Sequence, residues 1–168
     1  SICKGLGLLS DHLKKANRQL KLFSWFKIPL IAFCNPRIIE LTDNKIVIRI
    51  KVNPFTRNQL GSMYLGALTI GADLAAGFHA FHLSEQSGRR VSLAFKNFKA
   101  EFHSRPTSAV YFVANYGDKV QKMLGRIQVS GERETIDVPV EAYCNYLDEP
   151  EHIATFSLGL SLKDKGAN

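Results

Sequence analysis

Between Arg57 and Glu85 the chain carries a single formal charge, Asp73. Around it, residues 58–84 read NQLGSMYLGALTIGADLAAGFHAFHLS, with apolar or small residues on every helical face. A segment of that kind is a core helix, and the pattern places it over about residues 62–84. An ionisable group in its middle costs several kcal/mol unless it is paired, hydrogen-bonded or protonated. Proton transfer and nucleophilic attack are the chemistries open to such a carboxylate. Burial raises its pKa and any N–H that reaches it lowers it. Asp73 is therefore the first candidate for chemistry. His79 and His82, three apart on the same stretch, and His103 offer imidazoles, but no carboxylate stands beside them at ligand spacing. They are expected to be structural histidines, and no metal site is expected.

The elements that must position Asp73 follow from periodicity. Leu9, Leu13, Ala16, Leu20 and Phe23 recur at helical spacing, Lys14, Lys15, Arg18 and Lys21 lie elsewhere, and Ser10 or Asp11 suits the helix cap. Residues 1–34 thus form an N-terminal helical extension, expected to dock on the main domain. Its other options are to touch lipid or to cover the mouth of an apolar groove, with Trp25, Phe26, Leu30 and Phe33 extending its apolar surface. Residues 35–168 are expected to be one domain. Strands are predicted over 37–42 and 45–52, joined by a tight turn at Asp43-Asn44. After the central helix a long strand spans about 90–103. Its apolar residues change parity, from Val91, Leu93 and Phe95 to Phe98, Ala100 and Phe102, which predicts a bulge or bend at Lys96-Asn97. A strand at 109–115, a short helix at 118–129, and strands at 135–146 and 153–162 complete the chain before a polar tail. Pro139 predicts an irregular or edge position in the fifth strand.

At 168 residues and 45% hydrophobic content the chain fits one domain with a substantial core. No apolar run is long enough to span a bilayer, and no signal-peptide pattern opens the sequence, so a cytoplasmic location is expected. Cys3, Cys34 and Cys144 are odd in number and far apart, which supports neither a disulfide framework nor a zinc site. The net charge of +7 is concentrated: residues 1–51 hold ten Lys and Arg against Asp11, Glu40 and Asp43, and the remainder is neutral. Such a surface suits an anionic partner, although a solvated basic face is the simpler reading. Basic and aromatic residues do not interleave along a strand as in an RNA-binding sheet, so neither a nucleic-acid nor a membrane partner is expected.

An α+β chain in which a bending antiparallel sheet must bury one long helix fits the hotdog architecture. The segment from Asn58 to Asp73 resembles the signature N-x-x-G-x-x-H-G-G-x-x-x-x-x-x-D of PaaI-like hotdog thioesterases: Asn58, Gly61, Gly66 and Asp73 match at the family spacing. Phe102-His103-Ser104-Arg105-Pro106 is similar to the family's strand end after the helix, and the resemblance spans roughly residues 37–162. Tyr64 stands where the family has histidine and Leu65 where it has the first glycine of a pair. The chain also resembles an uncharacterised, domain-of-unknown-function branch that lacks the motif histidine.

The resemblance implies a curved antiparallel sheet wrapped around the central helix, with the extra N-terminal helix outside it. It implies acyl-CoA thioester hydrolysis, with Asp73 as general base or nucleophile and Asn58 orienting substrate or water. A backbone N–H at the helix start, of Leu65 or Gly66, would hold the thioester oxygen. That last role survives the substitutions, because first-turn amides are unpaired and polarised whatever the side chain. Tyr64 and Gly61 would border the substrate, Ser92 would sit near a water, and Arg89, Arg90 and Arg105 are cations available to coenzyme A phosphates. No cofactor is implied beyond the coenzyme A part of the substrate, which could instead be an acyl carrier protein. Leu65 and Asp73 lie eight residues apart, about 12 Å along a helix, too far to act on one carbonyl. Two chains must therefore share each site, giving a homodimer or a tetramer built from it. A medium- or long-chain acyl group is expected from the apolar walls. The alternative is a hotdog protein that binds an acyl thioester or lipid without turnover, favoured by Tyr64 in place of histidine.

Overall fold

The computed structural model describes residues 2–167, with side chains described from 10 to 166. Helix α1 (Ile2–Lys27) and the short α2 (Pro29–Cys34) precede the hairpin β1 (Arg37–Leu41) and β2 (Ile46–Ile50). The long helix α3 (Leu65–Gln86) follows, then β3 (Arg89–Phe102), β4 (Val110–Ala114), α4 (Gly117–Ser130), β5 (Glu134–Cys144) and β6 (Glu151–Ala167). The strands form one antiparallel sheet in the order β1-β2-β4-β5-β6-β3. It curls around α3, the hotdog arrangement expected from the sequence.

The sheet buries one face against α3. Ile46, Ile48 and Ile50 of β2, Phe112 of β4, Val140 of β5 and Leu160 of β6 are fully buried, and Ala72, Ala75 and Ala80 of α3 meet the same core. Close approach is built into the helix at Gly71, where a Cβ would lie 2.2 Å from the Phe112 ring. The predicted bulge is present: the β3–β6 register shifts between Phe95 and Phe98, so that Lys96 and Asn97 stand opposite the single residue Gly159. Pro139 is accommodated because β4 pairs with β5 only from Glu141 to Tyr143, so the proline lies beyond that ladder with β6 as its sole neighbour.

Four expectations are corrected. α3 begins at Leu65, because Met63 and Tyr64 donate their N–H groups outside the helix, to the Pro106 and Thr56 carbonyls at 2.8 and 2.7 Å. It is not covered all round either. Leu65, Thr69, Asp73 and Phe81, on one face at steps of four residues with the buried Gly77 between the last two, stay half-buried or exposed, an open stripe beside β3. α1 starts upstream of Ser10 and Asp11, which are interior to it and cannot cap it; Leu9 and Cys3 lie outside the described side chains. The polar tail continues β6, paired with β3 as far as Ala167, and Arg89 forms an ion pair with Asp164 there.

α1 docks on the hairpin through Asn17, which donates to the Ile38 carbonyl and accepts from the Ile38 N–H, both at 2.9 Å. Ala16 and Leu20 are buried beneath it, whereas Trp25, Phe26, Leu30 and Phe33 remain exposed. Among the described residues no helix is long and apolar enough to cross a membrane.

Candidate active site

Asp73 projects from the open stripe of α3 into a cavity of about 310 Å³. Leu74, Phe78 and Phe81 of the same helix, Leu93 of β3, and Phe23, Ile28 and Ile31 of the N-terminal extension complete the lining. No hydrogen-bond donor among the described residues reaches the carboxylate. Apolar walls without a compensating donor penalise the charged form, and burial raises the Asp73 pKa to about 6. The group is thus ionised at neutral pH but only weakly solvated, which makes it more basic than an ordinary aspartate. Gly77, one turn further along, borders the carboxylate: a Cβ there would touch Asp73 Oδ1 at 3.7 Å, an ordinary contact, and the Phe95 ring more tightly at 3.3 Å.

The start of α3 forms a second, separate groove of about 510 Å³, lined by Asn58, Ser62, Leu65, Phe102 and Arg105 among others. Tyr64 caps the helix with extended backbone and no side-chain capping bond. Ala67 and Leu68 donate to its carbonyl at 3.0 and 3.1 Å, which leaves the Leu65 and Gly66 amides without an intrachain acceptor among the described residues. Two adjacent polarised N–H groups at an exposed helix start can hold a developing oxyanion. The Tyr64 ring lies over Gly66, where a Cβ would come within 2.6 Å of it.

Asn58 is tied to its own loop. Its Oδ1 accepts from the Leu60 and Ser62 N–H groups at 2.9 and 3.2 Å, and its Nδ2 donates to Ser62 Oγ at 2.9 Å. Gly61 completes this turn with φ of 79°, a conformation open to glycine. Within the chain Asn58 therefore shapes the loop that delivers the helix start. Arg105 does border the groove.

Three expected site residues are not brought to either half. Ser92 is directed away from the cavity that its neighbour Leu93 lines, since successive strand residues face opposite ways, and its hydroxyl accepts from Arg133 at 3.0 Å. Arg89 is engaged by Asp164, and Arg90 is exposed at the start of β3 without lining either the groove or the cavity. His79 is a buried structural residue, its Nε2–H donating to the Thr42 carbonyl at 2.9 Å and its pKa lowered mainly by burial. Phe23, Ile28 and Ile31 cover the cavity, the groove-covering option that the sequence left open for the N-terminal extension, whereas sequence reasoning missed Gly77. The glycine, four residues after the aspartate, was the signal to find.

The Asp73 cavity and the helix-start groove share no lining residue. Both open along α3, the groove at its start and the cavity at Asp73, further along the helix.

A family profile described as "Domain of unknown function (DUF4442)" matches residues 16–151. No curated protein sequence matches the chain. Among solved structures, a candidate thioesterase from Shewanella oneidensis is similar with a TM-score of 0.75 at 15% identity, covering 89% of this chain and 98% of that one. A protein of unknown function from Chlorobaculum tepidum TLS gives 0.78 at 10% identity over 90% and 96%. A thioesterase from Haemophilus influenzae gives 0.59 at 12% identity over 85% and 88%. At these identities the likeness is one of fold.

Proposed function

The chain belongs to the DUF4442 family, whose profile covers most of its length, and from that membership and the hotdog fold we propose that it hydrolyses an acyl thioester. The observation that carries this reading is the Asp73 carboxylate, poorly solvated and open to an apolar cavity. Similar folds in proteins named as thioesterases support it.

In the proposed reaction the acyl chain, of medium or long length, lies along Phe23, Ile28, Phe78 and Phe81, where apolar burial holds it. The thioester carbonyl accepts from the Leu65 and Gly66 amides. Ionised Asp73 takes a proton from water as the water oxygen attacks the carbonyl carbon; collapse of the tetrahedral intermediate then expels the thiolate, which leaves as a thiol after protonation. Direct attack by the carboxylate, giving an anhydride that water cleaves, uses the same residues. The carrier is coenzyme A or an acyl carrier protein, with Arg105 beside the groove to meet its phosphates.

The two halves come from different chains in this proposal. The open stripe of α3 runs beside β3, a 14-residue strand at the sheet edge. Phe98 and Phe102 of that strand are 39% and 47% exposed. A long edge strand with exposed apolar residues is a pairing surface. A homodimer that pairs these edges and sets the α3 helices antiparallel brings one chain's helix start to the other's Asp73.

Tyr64 favours a second reading, binding of an acyl thioester without turnover, because it caps α3 at the position where the resembled signature has histidine. Release of free thiol from acyl-CoA substrates of graded chain length separates the two. Hydrolysis requires turnover by the wild type and its loss in Asp73→Ala and Asp73→Asn. Equal rates in all three proteins sink the enzyme reading, and saturable binding with no turnover establishes the second.

A further inference from the structure

At the sheet edge opposite β3, α1 and the β1–β2 hairpin enclose a cleft of about 660 Å³. Among the described residues every charged one lining it is a cation: Lys14, Arg18 and Lys21 from the helix, Arg37 and Arg49 from the strands. The walls are fixed to one another, because Asn17, also in the lining, holds Ile38 by its two backbone hydrogen bonds. Nearby carboxylates do not fill the cleft. Glu40 pairs with Lys45 at 3.0 Å, and Asp11, outside the lining, meets the highly exposed Lys14 at 3.6 Å.

Two further observations point to an anionic ligand. Arg37 and Arg49 are directly opposite each other in the β1–β2 register, a placement in which like charges destabilise an antiparallel pair. The Nε of Arg49 is also buried and has no hydrogen-bond acceptor among the described residues. A guanidinium N–H shut off from water without a partner is costly to the fold. An oxyanion seated between the two arginines answers both, since guanidinium forks grip phosphate oxygens by paired N–H bonds.

We propose that this cleft binds a ligand carrying at least two phosphate groups. From Lys14 to Lys21 the helix rises about 10 Å, more than one phosphate spans. One group sits between Arg37 and Arg49, and the next lies under Arg18 and its neighbouring lysines. The cleft shares no residue with the Asp73 cavity or the groove at the start of α3, so it is separate from the proposed acyl site. The phosphates come from a soluble diphosphate or from adjacent headgroups of an anionic bilayer. Exposed Leu22, Trp25 and Phe26 follow Lys21 directly on α1 and would meet lipid in the second case.

Sodium pyrophosphate titrated into the full chain at constant ionic strength, in phosphate-free buffer, tests this by calorimetry and thermal unfolding. Vesicles of phosphatidylcholine with or without phosphatidylglycerol form the second arm. Expected are saturable binding of pyrophosphate and a midpoint raised by about 4 °C near saturation, or, for a lipid source, binding to the anionic vesicles alone. In either case Arg37→Gln and Arg49→Gln weaken binding at least tenfold. Each also raises the midpoint of the ligand-free chain, because the repulsion is relieved. Arg18→Gln, on the exposed helix face, weakens binding without touching the sheet and serves if the strand variants fold poorly. Lys122→Gln on α4 removes one surface charge elsewhere and leaves binding unchanged. The proposal is overturned if pyrophosphate acts only as matched sodium chloride does and anionic vesicles are not bound. It is equally overturned if Arg18→Gln and Lys122→Gln have the same effect.

Discussion

Gly77 stands one helical turn beyond Asp73, and a Cβ built on it would lie 3.7 Å from the Asp73 Oδ1. Glycine in a helix interior costs about 0.5–1 kcal/mol relative to alanine, a cost accepted here beside the one carboxylate of α3 that faces an apolar cavity. Gly77→Ala should therefore stabilise the fold while crowding the site. At pH 5, where Asp73 is largely protonated, the thermal midpoint should rise by about 2 °C, since the half-buried Phe95 ring at 3.3 Å can yield to the methyl group. Thioesterase turnover at pH 8 should fall roughly tenfold. Gly71→Ala is the contrast: its Cβ meets the buried Phe112 ring at 2.2 Å, and overpacking should cost about 2 kcal/mol or more. A Gly77→Ala protein with undiminished turnover would remove the glycine from the site.

The raised pKa of Asp73 makes a linkage prediction whose sign is fixed. Its folded value of about 6 lies above the ordinary 3.8, so between these values the folded chain holds a proton that the unfolded chain has released. Wild-type stability contributed by this group therefore falls as pH rises from about 4 to about 6 and is level above that. Asp73→Asn lacks the titration. Denaturant unfolding across this range should show the variant gaining on the wild type by up to about 3 kcal/mol between pH 4 and pH 7.5, as its hydrolysis rate drops at least a thousandfold. A pH-independent gap would mean that donors from outside the chain meet the carboxylate and hold its pKa near the ordinary value.

The amide at the helix start can be deleted without disturbing the helix. Leu65 is the first residue of α3, and Tyr64 before it has φ of −68° and ψ of 144°, the backbone that a following proline requires. Proline is tolerated at a first helical position because that N–H has no helical partner. Leu65→Pro should leave the thermal midpoint within about 2 °C of the wild type and lower kcat/KM by about 10²–10³ if the amide holds the oxyanion. Leu65→Ala, which keeps the N–H, is the comparison. Matching rates in the two variants would take the Leu65 amide out of the mechanism.

Much of this arrangement is legible in the sequence because it rests on local periodicity. The lone charge at Asp73 marks the site helix, and the parity change at Lys96-Asn97 marks the bulge seen in the β3–β6 register. Tertiary packing decided the rest. That Ser92 serves Arg133 and not the cavity depends on which face β3 turns to α3, a long-range choice that alternation alone cannot orient. The cover over Asp73 by Phe23, Ile28 and Ile31 depends on where α1 and α2 dock. The open stripe of α3 was hidden for a different reason: an interface that a second chain would cover has the composition of a core.

Backbone direction along β3 makes the proposed dimer testable by one residue. The His103 N–H donates to the Ile153 carbonyl at 2.8 Å, toward β6. Successive strand N–H groups point to opposite sides, so those of Lys99 and Glu101 are directed at β6, while those of Phe98, Ala100 and Phe102 point to the free edge. Ala100→Pro should remove a free-edge donor and leave the β6 ladder intact; Lys99→Pro should break that ladder and destabilise the chain by about 1–3 kcal/mol. In sedimentation the wild type should run at twice the 18.8 kDa chain mass, and Ala100→Pro should run as a folded monomer without turnover. The loss of activity should be complete, because each half of the site would then face solvent alone. A dimeric, active Ala100→Pro protein would place the seam elsewhere, and a wild type monomeric at micromolar concentration would remove the shared site altogether.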